Sequence, residues 1–187
     1  MLRPRQHGIS LIEVLVTIVI LAFGLLGIAV FQAKASVGSI ESYQRAQAVI
    51  LLDDMTARVQ GNPVNVASYE SSNIGTGDTQ PADCSALGAG ALRDVCEWSN
   101  LLKGAAEIDS STKVGAMIGA RGCITVLQVA DPSAGVCRPA IVQVAVTWQG
   151  LHATQAPSLG CGLNQFGDES YRRLIAAQVL IPQLNCK

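Results

Sequence analysis

One carboxylate at the head of a long apolar run limits what this chain can fold into. Glu13 is followed by twenty residues without a charge, VLVTIVILAFGLLGIAVFQA, from Val14 to Ala33. About twenty apolar residues are enough to cross a bilayer as a helix. An ionised carboxylate in hydrocarbon costs about 2.5–3.5 kcal/mol even on lenient insertion scales, so it calls for a partner. Seven residues precede Gly8, with Arg3, Arg5 and His7 as their basic groups. Such a short basic leader puts residue 1 on the cytoplasmic side of a membrane and the bulk of the chain on the other.

Gly8-Ile9-Ser10-Leu11-Ile12-Glu13 resembles the class III signal of type IV prepilins, in which glycine is followed by Phe-Thr-Leu-Ile-Glu. The resemblance implies cleavage after Gly8 by a prepilin peptidase and methylation of the new amino terminus, Ile9. It also implies that Glu13 pairs with the amino-terminal charge of a neighbouring subunit during assembly. Two opposite charges that neutralise each other in hydrocarbon define one axial register. Ile9 stands where phenylalanine is usual, so the methylated residue would be an isoleucine. Two other readings compete for the segment. One is a secretory signal cut after Ala33-Lys34-Ala35, disfavoured by the length of the run and by Glu13. The other is a plain signal anchor whose Glu13 snorkels to the interface.

The chain has 187 residues, enough for one domain beyond the apolar helix. Without residues 1–8, eleven Lys and Arg face fourteen Asp and Glu, a net charge of −3. That weak, scattered charge, with no basic cluster among aromatics, argues against nucleic acid as a partner. Six cysteines in a translocated body favour three disulfides. Six cysteines allow fifteen pairings, and the sequential set Cys84–Cys96, Cys123–Cys137 and Cys161–Cys186 closes local loops. The absence of C-x-x-C pairs, and the wide separation of His7 and His152, argue against zinc.

Helical periodicity continues past the run, through Ile28, Phe31, Ala35, Ile40, Tyr43, Ala46, Ile50, Met55 and Val59. Asp54 and Arg58 are spaced for an i,i+4 pair. Gly61-Asn62-Pro63 predicts the stop, with Gly61 as a C-cap. A helix from Ile9 to Gln60 would be about 78 Å long. Its first half, residues 9–33, would span the membrane or line a filament core; its second, residues 34–60, would pack on a head formed by 61–187. Gly24, Gly27 and Gly38 interrupt the helix, either for close helix–helix packing or as a weak point, and packing is the favoured reading.

The Ser, Asn and Gly content of residues 64–82 predicts a surface loop. A helix is expected over 86–102 with Leu92, Val95, Cys96, Ser99 and Leu102 on one face, ended by Gly104, while residues 105–120 give no strong signal. Strands are expected over 122–130, 141–149 and 171–181, with a turn at 131–135. In the second, Val142, Val144, Val146 and Trp148 point inward, and Gln143, Thr147 and Gln149 outward. In the third, Ile175, Ala177, Val179 and Ile181 point inward.

This order of elements resembles the type IV pilin fold from end to end: an α+β chain whose long N-terminal helix packs on an antiparallel β-sheet. GLLGIAVFQAKA, QAVILLDDMTARVQGNP and VAVTWQG look most like a PilV-type minor pilin, a type IV pilus modification protein. That resemblance implies an inner-membrane precursor with a periplasmic head, and a place in the pilus at the cell surface. Its expected partners are prepilin peptidase, other minor pilins and the major pilin. A minor pseudopilin of a type II secretion system and a non-polymerising, membrane-anchored binding module stay open. No catalysis and no cofactor are expected. His152 reads as a solvated loop residue, and adjacent helical carboxylates such as Asp53 and Asp54 point about 100° apart. The serines lie in turn-like clusters without a G-x-S-x-G elbow.

Overall fold

The computed structural model describes residues 8–104, the strand pairs at 108–109 and 112–113, and 117–182. Helix α1 (Leu11–Gly61) runs unbroken for 51 residues. The chain forms two compact units, Met1–Ile40 and Glu41–Lys187. In the first, every described residue is exposed. Its most apolar 18-residue window has a mean hydropathy of 3.0, long and apolar enough to cross a membrane.

The second unit begins with the last 21 residues of α1, from Glu41 to Gly61. Its buried stripe is Gln44, Ala48, Leu51, Leu52, Met55 and Val59, at the three-to-four-residue spacing of one helix face. The expected stripe through Ile40, Tyr43, Ala46 and Ile50 is out of phase with it, and Tyr43 and Ile50 are exposed. Several spacings in that series exceed 3.6, so it drifts around the helix. The helix stops where Asn62 and Pro63 were expected to stop it. Gly61, however, does not adopt a left-handed conformation; Asn62 (φ −130°) leaves the helix and Pro63 opens a 3₁₀ segment, Pro63–Tyr69.

The stretch expected to be a loop contains strand β1 (Ser71–Gly75). Helix α2 (Ala91–Leu102) starts five residues later than expected, after Gly88-Ala89-Gly90. Two-residue strands β2 (Ile108–Asp109) and β3 (Thr112–Lys113) pair with each other. Strands β4 (Ile118–Gln128), β5 (Ala140–Gln149) and β6 (Arg172–Ile181) follow. Among the described residues one four-stranded sheet forms, in the order β1-β4-β5-β6, antiparallel throughout. This is the expected α+β arrangement, a type IV pilin-like fold.

One face of the sheet, the C-terminal part of α1 and α2 share a single core. Val142, Val144, Val146 and Trp148 point into it as their alternation requires, joined by Val179 and Ile181. Trp98 of α2 lies at its centre, fully buried, and its Nε1–H donates to the Leu51 carbonyl of α1 at 2.9 Å. The α2 face is therefore Ala91, Val95, Trp98 and Leu102, whereas Leu92 is 72% exposed. Trp98 fits because β4 carries no side chain beneath it. A Cβ on Gly122 would lie 2.0 Å from the indole Cη2.

The other face of the sheet is not simply solvated. Thr147, expected to point outward, does so but is fully buried, because Gly162 and Phe166 cover it. Its hydroxyl donates to the Arg173 carbonyl at 2.7 Å. A disulfide between Cys123 and Cys161 holds this cover in place. That bond replaces the expected pairs Cys123–Cys137 and Cys161–Cys186. Cys123 is on the outer face of β4, directly under the 157–168 segment, so the spatial neighbour displaces the sequence neighbour. Cys84–Cys96 is present as a bond. Cys137 is also in a disulfide, and Cys186 lies outside the described residues.

Candidate functional site

Gly8 and Ile9 precede the first turn of α1. Apart from its chain neighbours, no described residue lies within 4 Å of where a Gly8 Cβ would stand, and Ile9 is 76% exposed. The helix starts at Ser10, whose carbonyl accepts from the N–H groups of Glu13 (3.1 Å) and Val14 (3.3 Å). Glu13 therefore sits in the first helical turn, where a carboxylate interacts favourably with the unsatisfied N–H groups. Among the described residues its side chain has no ion pair or hydrogen bond. Gly24, Gly27 and Gly38 lie within unbroken helix, where an added Cβ would meet no described atom within 4 Å beyond the helix's own backbone. This segment offers an exposed Gly8, an exposed Ile9 and the Glu13 carboxylate.

The head begins at Glu41, in a cluster that no local sequence pattern marks. One Glu41 oxygen accepts from the Leu151 N–H at 2.9 Å and from Arg173 Nη2 at 3.2 Å. It also lies 2.9 Å from His152 Nδ1. His152 is exposed, as expected of a loop residue, but it is paired rather than simply solvated. Arg173 donates in addition to the His152 and Ser170 carbonyls and to Thr154 Oγ1. The start of the head is thus tied to the β5–β6 connection.

At the other end of the helix the expected Asp54–Arg58 pair exists at 2.9 Å. It belongs to a larger network, since Arg58 Nη1 also reaches Asp94 (3.2 Å) and Glu97 (2.7 Å) on α2. Burial, and the hydrogen bond donated to Asp94, push the Tyr69 hydroxyl up to about 12. Hydrogen bonds from Arg58 and then Arg93 hold the Glu97 carboxyl below its ordinary range. These ionisable groups neutralise one another and clamp α2 to α1. Among the described residues, no three His, Cys, Asp or Glu side chains gather as a metal site would require.

The family model of the prokaryotic N-terminal methylation motif matches residues 3–29. The match covers Gly8, Ile9 and Glu13 and supports a type IV pilin or pseudopilin. It implies processing by a prepilin peptidase and assembly with other pilins, and it fits membrane anchoring before assembly. Chains with this motif are typically structural subunits. Comparison with curated proteins and with solved structures gives no match.

Proposed function

We propose that this chain is a minor pilin of the PilV type, made as an inner-membrane precursor with its head in the periplasm. Prepilin peptidase removes residues 1–8 and methylates Ile9. The mature subunit then joins a complex of minor pilins that primes the filament of the major pilin. The observation that carries this reading is the Glu13 carboxylate, without a partner among the described residues, five residues past Gly8 and at the head of an uncharged, exposed stretch of helix from Val14 to Ala33. A carboxylate kept in hydrocarbon without a partner in its own chain needs one from a neighbour. An amino terminus freed at Ile9 supplies an ammonium of the right sign.

Mass spectrometry of the N-terminus of the native chain tests this proposal. N-methyl-Ile9 is expected; an intact Met1, or a start at Ser36, refutes processing at Gly8. Deletion then separates the two assembly systems. Loss of surface piliation fits a minor pilin, whereas loss of exoprotein secretion with normal piliation identifies a type II pseudopilin.

A further inference from the structure

The covered outer face of the sheet ends in a groove. The 157–168 segment lies over Ala145 and Thr147, and beside it a groove of about 250 Å³ opens against β1, β4 and β5. Thr125 and Gln143 face each other directly across β4 and β5. Ser72 and Asn73 enter from β1, where the register shifts between Ser71 and Ile74 and Asn73 takes a left-handed φ of 54°. Each of the four presents a hydroxyl or carboxamide. Among the described residues none of these side chains has a hydrogen bond or ion pair inside the protein. The floor is apolar, formed by the Cys123–Cys161 disulfide and Ala145, with Leu159 as one wall. No ionisable side chain lines the groove.

We infer that this groove is a binding site for a neutral sugar ring. A charged ligand would give up hydration with no counter-charge to receive it. A purely apolar ligand would cover four polar groups and leave their hydrogen bonds unmade. A neutral sugar meets both conditions. Its adjacent hydroxyls donate and accept, as do carboxamides and hydroxyls, and its C–H face suits a floor of sulfur and methyl groups. An extended peptide fits less well, because the groove lies on the face of the sheet, where no backbone edge is offered for strand addition. The volume, just under the ~300–1,000 Å³ of clefts for larger ligands, suits one ring rather than a chain of them.

The test uses the full chain in a phosphocholine detergent, since glycoside detergents would carry the ligand. Side-chain amide NMR signals of Asn73 and Gln143 are followed while glucose, galactose and N-acetylglucosamine are titrated into the millimolar range. At least one sugar should shift both signals saturably. Gln143→Leu should weaken that binding about tenfold, the loss of one or two net hydrogen bonds, at an unchanged thermal midpoint. Gln178→Leu, the neighbour of Gln143 on β6, should not. If Gln143→Leu fails to fold, Thr125→Val takes its place, with Asn73 as the reporter. No saturable shift with any of the three sugars overturns the inference, as does wild-type binding by the groove variant. Tighter binding of the anionic N-acetylneuraminic acid overturns the neutral assignment. None of these outcomes depends on cleavage at Gly8, so the two proposals fail separately.

Discussion

Replacing Gly122 with alanine puts the central contact of the head under direct strain. The added Cβ would stand 2.0 Å from Cη2, 2.3 Å from Cζ3 and 2.9 Å from Cζ2 of Trp98. Ordinary contact begins at about 3.4 Å, so the ring or the strand must move by about 1.4 Å. Neither moves freely. Gly122 is paired to Val146 in mid-strand, and Trp98 is fully buried with its Nε1–H bonded to the Leu51 carbonyl. Overpacking a core costs about 1–3 kcal/mol. Stretching the indole hydrogen bond leaves a buried donor poorly satisfied, which adds about 1–3 kcal/mol. A loss of about 2–6 kcal/mol corresponds to a fall in Tm of roughly 5–20 °C for a unit of this size. Thermal and urea unfolding of the full chain in detergent, followed by tryptophan fluorescence, measures it. Adding Trp98→Leu should make Gly122→Ala nearly neutral, because the two residues compete for one volume. A Gly122→Ala midpoint within about 2 °C of wild type would refute this packing argument.

Replacing both Cys123 and Cys161 with alanine opens a bridge between residues 38 apart; a loss of about 4 kcal/mol is expected from the chain-entropy estimate. A non-reducing peptide map that links Cys123 to Cys137 would contradict it. Burial would raise the Asp78 carboxyl, but the Gly75 N–H, Lys103 and Ser99 hold it below its usual range. Its stabilising contribution is therefore complete above its unfolded value of about 3.9 and is lost as pH falls toward the folded one. Asp78→Asn should flatten the acid side of the Tm–pH profile, and an unchanged slope below about pH 4 would exclude that role. Under the proposed assembly, Glu13→Ala should insert and be cleaved, as removing a charge eases membrane entry. Its incorporation into pili should fall, and wild-type incorporation in a pull-down of sheared filaments would favour the snorkelling reading.

Local signals carried the elements whose pattern is strong. The stop at Asn62-Pro63 and the alternation of β5 could be read directly, because proline chemistry and the period of two act within a few residues. What the sequence hid depends on tertiary neighbours. β1 reads as a loop, since Ser71-Ser72-Asn73 has poor strand propensity; pairing with β4 makes it a strand. Trp98 sits on the inward face of α2, yet nothing local marks Gly122, on a distant strand, as the position that admits it. Sequential disulfides were the economical choice for loop closure, but the fold brings Cys161 over Cys123. Glu41, His152 and Arg173 are more than a hundred residues apart in part, and no spacing rule joins them. At the N-terminus the reverse holds. The proposed roles of Gly8, Ile9 and Glu13 rest on a few neighbouring residues, and the fold adds only that these residues are exposed among the described ones.

The two stretches of α1 answer to different energetics. From Glu41 onward, six buried side chains and the Trp98 hydrogen bond fix the helix within the head. From Gly8 to Ile40 every residue is exposed, and apolar surface left in water costs about 25 cal/mol per Å². Lipid or neighbouring subunits must therefore cover it. Lipid tails are as apolar as leucine, so hydrophobicity gives little preference between bilayer and filament. A carboxylate does discriminate. In lipid it carries a penalty of about 2.5–3.5 kcal/mol, and a neighbour's ammonium relieves that penalty. Between Gly8 and Ala33 Glu13 is the only charge. Within the proposed assembly, the step out of the membrane and the axial register of the subunit then depend on the same side chain. In that proposed assembly, Gly24 and Gly27, where an added Cβ meets nothing within 4 Å, would allow a neighbouring helix to approach closely.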